Sequence, residues 1–458
     1  MSLNEHLKAL IDELDRTHPQ GFYTAQPKTL PNFVTAHNGH QRHFTDAAEG
    51  TLHLLANTLH GNDKKISAII GIKEFSGLLK QSIADLHADG ELSVAQAAEV
   101  VDARKRLEVD IQRNLANMPV EFTHYFPAWT LGMEADHPFT LGPVTIMTRE
   151  HWLDTVNFSP GAIANFLSSP SVNAIWKDSV KQALKPLAKN VELEGLAKPI
   201  FSAIYRYPSI LKITINGYER NLSRKIAEIV CKSALDGISL LFGVRELFFQ
   251  QTLNTERLPP VISKVLFETN GYLWLPGTTV APVIRHLDYQ SVSDHLSKNG
   301  APLAALARIL TALVDPSASP HPNLARRWST ALDWMAEGNR ESNSAVALAK
   351  IATSLDVLSC GGKFSGILEM LVHLTNVSPS TVVVKGPPPS TLKTIVKNIY
   401  DSGRSQILHG THFDRLKSFE LWKSHAASLA SEALIETAVR LSKFTGLEQD
   451  KTFRTIPS

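Results

Sequence analysis

The spacing of apolar residues changes twice along this chain. Through residue 119 the apolar positions recur at helical spacing, most clearly in residues 93–118. The shared face of that stretch carries Ala97, Val100, Leu107, Ile111 and Leu115. Ser93 with Gln96 predicts a capping box at its start, and Pro119 predicts its end. We therefore predict an N-terminal helical region over residues 1–119.

Alternating patterns replace the helical ones from residue 120 to residue 295. FTLGPVTIMT (139–148) and ILKITING (210–217) are typical of strands. In KVLFETNGYLWLPG (264–277), the Asn270-Gly271 pair between two apolar runs predicts a hairpin. NLSRKIAEIVCKSALDGISLLFG (221–243) predicts a long helix that Asn221 caps and a glycine ends. We expect a mixed α/β region here.

Helical spacing returns from residue 296 to residue 458. The predicted helices of this region cover about 323–338, 342–360, 364–376, 390–409 and 416–445. The prolines of VVVKGPPPS (382–390) predict an irregular connector, and Ser390 is predicted to cap the next helix. The expected fold class is mainly α with an α/β middle region and an all-helical C-terminal domain.

Composition narrows the class of protein. The 458 residues carry a formal net charge of +2, so nucleic acid could be bound only through a local basic patch. Cys231 and Cys360 are the only cysteines, which excludes a disulfide framework and a cysteine-based zinc site. The N-terminus is an acidic amphipathic helix start, and no run of about 18 apolar residues occurs. We therefore expect a cytosolic protein with no membrane span.

The stretch GRSQILHG (403–410) holds the clearest candidate chemistry, because it carries Arg404 and His409. Imidazole titrates near neutral pH and can serve as general base or acid. Guanidinium binds two phosphate oxygens and stabilises the charge that develops on them. The 2′-hydroxyl of RNA is itself a nucleophile beside the phosphate. This pair therefore suffices in principle for RNA cleavage, with no metal and no cofactor.

The five-residue spacing leaves two catalytic arrangements open. An ideal helix separates Arg404 and His409 by about 140°, with a rise of about 7.5 Å. The pair could flank one phosphate if the helix bends or ends near His409. Alternatively, two copies of the helix could bring two arginines and two histidines into one cleft. In a purely structural interpretation, Arg404 is a solvated helix residue and His409 helps to close the helix C-terminus.

Gly403 and Gly410 frame the pair. Gly403 lies on the same helix face as Ile399 and Ile407, and it predicts either the close approach of another helix or a bend. Gly410 predicts the C-cap.

The C-terminal third resembles the HEPN superfamily, and within it the ApeA-type HEPN domains. The resemblance rests on RRWSTALDWMAEGNRESNSAVALAKIATSLDVL (326–358), GILEMLVHL (366–374) and IVKNIYDSGRSQILHG (395–410). It implies a bundle of four to five helices that dimerises, and a metal-independent endoribonuclease whose Arg-x4–6-His motifs meet at the dimer interface. Arg404 and His409 match that motif. Ser405 matches the polar position that follows the arginine, where Asn, Asp or His is more usual, and Asp356 matches an acidic position on the first core helix.

By that resemblance the chain would cleave RNA, with tRNA among the candidate substrates, as an antiviral (anti-phage) or toxin effector. It would act as a homodimer or higher homo-oligomer. Residues 1–295, including the mixed α/β region 120–295, would be the sensor or regulatory part, and the N-terminal region would bind a phage-derived or other trigger. The alternative is a non-catalytic RNA- or nucleotide-binding HEPN module in a larger complex. In a third interpretation a partner protein modifies the motif helix, with Tyr400 as an exposed acceptor.

Other candidates have structural interpretations. The spacing of His37, His40 and His43 could suit zinc, but an exposed histidine-rich loop is expected instead. His412 could replace His409 as proton carrier, although it fits the motif spacing less well. SCGGKFSG (359–366) is expected to be a turn between helices and RKR (104–106) the solvated side of a helix. Trp328 and Trp334 are expected in the core.

Overall fold

The computed structural model divides the chain into two compact units. Unit 1 comprises Met1–Phe122 and Ile215–Lys225, and unit 2 comprises Thr123–Thr214 and Ile226–Ser458. The predicted regions 120–295 and 296–458 fall mostly within unit 2. The structure describes residues 2–18, 32–92, 95–185, 192–256, 262–266, 268–273, 277–280, 287–386 and 388–458.

Unit 1 is a helical bundle with a small hairpin. Its helices are α1 (Leu3–Thr17), α2 (Asp46–Asn62), α3 (Lys64–Ile69), α4 (Ile72–Ala88) and α5 (Ala97–Asn117), and its strands are β1 (Phe33–Thr35) and β2 (Gln41–His43). One apolar face each of α1, α2, α4 and α5 forms a common core. The helix predicted at 93–118 is therefore confirmed as α5, with the predicted apolar face buried from Val100 onward. Its capping box is formed by Gln96 and Glu99, while Ser93 lies outside the described residues.

The first part of unit 2 contains a five-stranded sheet. Its strands are β3 (Glu121–Trp129), β4 (Phe139–Leu141), β5 (Val144–Thr148), β6 (Ser209–Asn216) and β7 (Thr252–Leu253), in the order β4-β5-β6-β3-β7. The strands predicted in 139–148 and 210–217 are thereby confirmed, and they pair antiparallel as β5 and β6.

Five short helices between β5 and β6 were not predicted from the sequence. They are α6 (Arg149–Thr155), α7 (Pro160–Asn165), α8 (Pro170–Ala174), α9 (Trp176–Ala183) and α10 (Ala197–Ile204). None is long enough to show a helical period. Two of them begin with a serine cap followed by proline, at Ser159 and Ser169.

The predicted long helix is confirmed as α11 (Arg220–Phe242), and α12 (Leu247–Gln250) follows it. The side chain of Glu219, rather than that of Asn221, accepts the first amides of α11. The strands that follow are β8 (Ile262–Val265), β9 (Glu268–Thr269), β10 (Tyr272–Leu273) and β11 (Gly277–Val280). Strands β9 and β10 form the predicted hairpin, with positive φ at both Asn270 and Gly271.

The C-terminal part of unit 2 is a helical bundle centred on one buried helix. Its helices are α13 (Tyr289–Lys298), α14 (Gly300–Val314), α15 (Pro322–Arg340), α16 (Ser344–Leu358), α17 (Lys363–Thr375), α18 (Leu392–Lys397), α19 (Gln406–Leu408) and α20 (Glu420–Leu441), with 3-10 turns at Pro316–Ala318 and Thr452–Arg454. Helix α16 packs on α15, α17 and α20. The Trp328 indole donates a 2.8 Å hydrogen bond to the Leu434 carbonyl, which ties α15 to α20.

Two details of this bundle differ from the predictions. The all-helical expectation is wrong because β12 (Val382–Val384) and β13 (Ser390–Thr391) form an antiparallel pair within the predicted irregular connector. Thr391, not Ser390, then caps α18. Trp328 is buried as predicted, but Trp334 is 38% exposed. Six residues on an ideal helix turn by about 240 degrees net, so these two side chains cannot share one face.

Unit 2 also encloses a cluster of buried charges. Arg340 pairs with Asp236 on α11 and, at 3.2 Å, with Glu256. Lys232 pairs with Glu337 at 2.7 Å. Acidic groups outnumber the two cations, and burial raises the pKa of Asp236 to about 7 despite Arg340 beside it.

In the part of the chain that the structure describes, no single helix has both the length and the apolar character needed to cross a membrane.

Candidate functional site

The candidate motif lies on an interrupted helix, and the single helix predicted at 390–409 is wrong in this respect. Between α18 and α19, Asn398–Ser405 form a π-helical segment. Such wide turns are rare and are frequently found at functional sites. A Cβ atom added to Gly403 would lie 2.7 Å from Cδ2 of Leu348 on α16. Gly403 therefore permits both the close helix approach and the distortion, which were the two options that the sequence left open.

The motif helix ends directly after the π segment, and Gly410 is its C-terminal glycine as predicted. Gly410 has a φ of +70°. Its amide donates to Ile407, and the Thr411 amide donates to Gln406, which is the Schellman pattern. His409 is the cap residue itself, and its imidazole is exposed. Among the described residues that imidazole has no hydrogen-bond partner.

Arg404 is held by three side chains of the same bundle. Its Nη2 lies 3.1 Å from Oδ2 of Asp356 on α16. Its Nε donates to the Thr353 hydroxyl at 3.2 Å, and its Nη1 donates to the Tyr400 hydroxyl at 3.2 Å. The guanidinium carbon also lies 5.1 Å from the centre of the Tyr400 ring. The ion pair is mostly buried, so it is screened less than a surface pair.

These contacts leave Arg404 able to bind an anion. A guanidinium has five N–H donors, and its two hydrogen bonds use one donor on Nε and one on Nη1, while Nη2 lies in the ion pair with Asp356. Among the described residues, the second N–H of Nη1 and the N–H groups of Nη2 therefore make no hydrogen bond. Two such donors are what a bidentate contact to phosphate requires.

Asp356 and Tyr400 shape the surroundings of that guanidinium. Oδ1 of Asp356 is buried and has no hydrogen-bond partner among the described residues. Tyr400 is only 8% exposed, so the prediction of an exposed acceptor at this position is wrong. Burial raises the pKa of the Tyr400 phenol, and the neighbouring Asp356 carboxylate raises it further. The phenol therefore stays protonated while its oxygen accepts from Arg404.

The structure thus brings together two of the four predicted site residues. Arg404 and Asp356 form an ion pair across α16 and the π segment. Ser405 contributes its carbonyl to the His409 amide, and neither its hydroxyl nor the His409 imidazole joins the cluster. Thr353 was not predicted from the sequence, and Tyr400 was predicted to have a different role. Helical spacing to Asp356 and Arg404, respectively, is the signal that could have identified both.

The loop after the motif exposes large apolar side chains. Phe413 is 92% exposed and Leu416 is 95% exposed, and both follow His409 within seven residues. His412 packs edge-on against the buried Phe419, with ring centres 4.8 Å apart. The more exposed His409 is thus better placed than His412 to reach a bound substrate.

The other candidate residues named from the sequence lie outside this cluster. Residues 359–362 form the expected turn between α16 and α17, residues 363–366 begin α17, and Arg454 donates to the Ser359 and Gly361 carbonyls. His37 and His40 are exposed, as expected of a loop, whereas His43 is half-buried with its ring 6.2 Å from that of His18. Within the described ranges, no group of three or more His, Cys, Asp or Glu residues is arranged to hold a metal ion.

Comparison with protein-family models, with curated proteins and with solved structures yields no match to this chain.

Proposed function

We propose that this protein is a metal-independent endoribonuclease of the HEPN type, acting in antiviral (anti-phage) defence or as a toxin. One observation carries the proposal: a guanidinium with N–H donors outside its own hydrogen bonds lies in the π segment, five residues before an exposed imidazole at the end of the same interrupted helix. The resemblance of residues 326–410 to HEPN domains supplies the reaction class. Fold-level likeness is a weak warrant for function, so the proposal rests on this pair of side chains.

In the proposed reaction the 2′-oxygen of RNA bonds to phosphorus while the bond to the 5′-oxygen breaks. The products are a 2′,3′-cyclic phosphate and a free 5′-hydroxyl. Arg404 binds the scissile phosphate and neutralises the charge that develops on it. His409 either removes the proton from the 2′-hydroxyl or delivers a proton to the leaving oxygen. Asp356 acts as a positioning residue for Arg404, and Ser405 is a supporting residue of the motif.

The number of proton-transfer groups that the reaction needs favours a homodimer. Cleavage needs one group that accepts a proton and another that donates one, and each chain supplies a single His409. Two copies with facing motif helices would supply both groups. Leu408 lies within the motif and Phe413, Leu416 and Leu421 follow it within twelve residues of His409, and all four are exposed. Exposed apolar surface commonly marks protein interfaces. The dimer is part of the proposal, as is a trigger bound by the N-terminal region.

A non-catalytic RNA- or nucleotide-binding module is the second candidate, and the state of His409 favours it. Catalytic imidazoles are usually oriented by a hydrogen bond to a second group. The imidazole of His409 lacks such a partner among the described residues. In this module Arg404 would bind a phosphate and His409 would have no essential role. Modification of Tyr400 by a partner protein is disfavoured, because its hydroxyl is buried against Arg404.

The test is RNA cleavage by the purified full chain in the presence of EDTA, with total RNA and tRNA as substrates. We expect wild type to cleave and both His409→Ala and Arg404→Ala to lose cleavage. His412→Ala is the matched control, since it removes a neighbouring imidazole outside the motif, and it should retain activity. Equal cleavage by wild type and His409→Ala would contradict the assignment. RNA binding without cleavage that depends on Arg404 but not on His409 would favour the binding module.

A further inference from the structure

Unit 1 carries an open groove of about 1140 Å³ that the proposed nuclease site does not use. One wall is formed by α3 and the other by α5. Apolar residues from five helices line it, namely Leu3, Leu59, Ile66, Phe75, Val109 and Ile111. Val109 is 60% exposed, whereas Ile66, Phe75 and Ile111 form a buried floor. The accessible lining of the groove is mostly apolar, as is usual for binding sites.

The rim of the groove is cationic. Lys64 and Lys65 stand on α3, and Arg104 and Lys105 stand on α5. Lys64 and Lys65 are exposed and have no ion pair among the described residues. Lys105 lies 3.5 Å from Asp102, with both side chains largely exposed, and such a pair contributes little stability. These three ammonium groups are therefore available to an external acidic group.

The acidic residues of the groove are already engaged. Glu108 pairs with Arg104 at 2.7 Å. Asp63 caps α3 by accepting hydrogen bonds from the Lys65 and Ile66 amides. The charge left to attract a partner is therefore positive.

The shape of the groove and the apolar residues at its floor indicate which class of ligand it binds. The volume slightly exceeds the range of about 300–1,000 Å³ that is usual for small-molecule sites. The wall residues of α5 from Arg104 to Gln112 extend along the helix axis by about 12 Å, which matches about two turns of another helix. An apolar floor suits leucine-like anchors better than it suits the phosphates of a nucleic acid. Two turns of a helix present anchors at positions i, i+3, i+4 and i+7, which is enough to fill such a groove.

We propose that this groove binds an acidic amphipathic helix of a partner protein. Its apolar face packs on Val109 and the buried floor, and its carboxylates pair with Lys64, Lys65 and Lys105. The recognition is of the helix-in-groove kind, with apolar anchors supplying affinity and the cationic rim supplying orientation and association rate. The inference does not depend on ribonuclease activity, because binding is measured directly.

The test uses three synthetic peptides of about four helical turns and fluorescence anisotropy with the full chain. The first carries leucines on one face and glutamates elsewhere. The second replaces each glutamate by lysine, and the third replaces each leucine by glutamine. We expect the first peptide to bind and the other two to bind at least about tenfold more weakly. Its affinity should also fall as salt is raised, because ionic contacts at an exposed rim are screened.

Variants then locate the binding. Val109→Glu, and separately Lys64→Glu with Lys65→Glu, should weaken binding of the first peptide by about tenfold or more. All three positions are exposed, so folding should be retained, and circular dichroism checks this. The matched control is Lys8→Glu with Lys73→Glu, which reverses two exposed charges of unit 1 away from the groove and should leave binding unchanged.

Three results would overturn the inference. The first is an absence of binding by the acidic amphipathic peptide. The second is binding that the groove variants leave unchanged. The third is self-association of the full chain that Val109→Glu abolishes, because the occupant would then be a second copy of the chain.

Discussion

Replacing Gly403 by alanine tests how the π segment is held beside α16. The substitution adds one methyl group immediately before Arg404, in a helical backbone that alanine normally favours. That methyl would lie 2.7 Å from Cδ2 of Leu348 and 3.1 Å from the Asn398 carbonyl oxygen. Leu348 is fully buried, so its side chain has little room to move away.

The expected sign follows from two opposing effects. Alanine in place of glycine stabilises a helix by about 1 kcal/mol. Overpacking a tight core costs about 1–3 kcal/mol. We therefore expect Gly403→Ala to lower the free energy of unfolding of unit 2 by about 1 kcal/mol, the difference between the centres of these two ranges.

A double-mutant cycle with Leu348→Ala isolates the clash. Leu348→Ala alone should cost about 2–5 kcal/mol. In that background the new methyl has space, so Gly403→Ala should be neutral or stabilising by up to about 1 kcal/mol. The coupling between the two positions should then be about 1–2 kcal/mol. Urea denaturation followed by tryptophan fluorescence measures unit 2 alone, since all 7 tryptophans lie beyond residue 122.

Stabilisation by Gly403→Ala in the wild-type background would refute this reasoning. Additive effects in the cycle would refute it as well, because they would mean that Leu348 does not restrict position 403.

Two further predictions concern assembly and pH. If the apolar loop after the motif forms the proposed dimer interface, Phe413→Asp with Leu416→Asp should convert a dimer to a monomer in sedimentation experiments and abolish cleavage. A wild-type chain that is monomeric yet fully active would contradict this. Between about pH 4 and pH 7 the folded chain keeps a proton on Asp236 that the unfolded chain has released. The contribution of this group to the free energy of unfolding therefore falls as pH rises through that range, and it is constant above it. Asp236→Asn should reduce the slope of the free energy of unfolding against pH by an amount that corresponds to up to about one bound proton. Urea denaturation at several pH values measures this slope, and an unchanged slope would contradict the raised pKa of Asp236.

Local patterns predicted the regular parts of this fold well. The face of α5, the strands β5 and β6 and the C-terminal glycine at Gly410 each follow from period or turn chemistry within a few residues. The π segment does not, and the close approach of Gly403 to Leu348 on α16 within it exists only after the bundle has formed. Trp334 shows the same limit, since an apolar residue near a helical period was assigned to a core that it does not enter.

The candidate site was likewise predicted only in part from the sequence. Arg404, His409 and Asp356 were named from the sequence, but only a resemblance connected Asp356 to the other two. The ion pair between Arg404 and Asp356 joins residues 48 positions apart, a separation over which periodicity carries no information. The role of Tyr400 reversed for a related reason. Its phenol is buried and accepts a hydrogen bond from Arg404, so burial and the guanidinium decide its chemistry, and burial of this kind is known only once the bundle has formed.

The contacts around Arg404 bear on whether it is prepared for a substrate or withheld from it. A free arginine side chain has about 2 kcal/mol of rotamer entropy to lose when it binds a phosphate. Thr353, Tyr400 and Asp356 fix the guanidinium before any phosphate arrives, so much of that loss falls on folding rather than on binding. Because only two of these contacts are hydrogen bonds, N–H donors on both terminal nitrogens are still available. In the proposed nuclease Arg404 would therefore meet a phosphate already oriented, while the exposed His409 has no orienting partner among the described residues. A facing copy of the motif helix would supply a second imidazole, and with it the second proton carrier that the proposed cleavage needs.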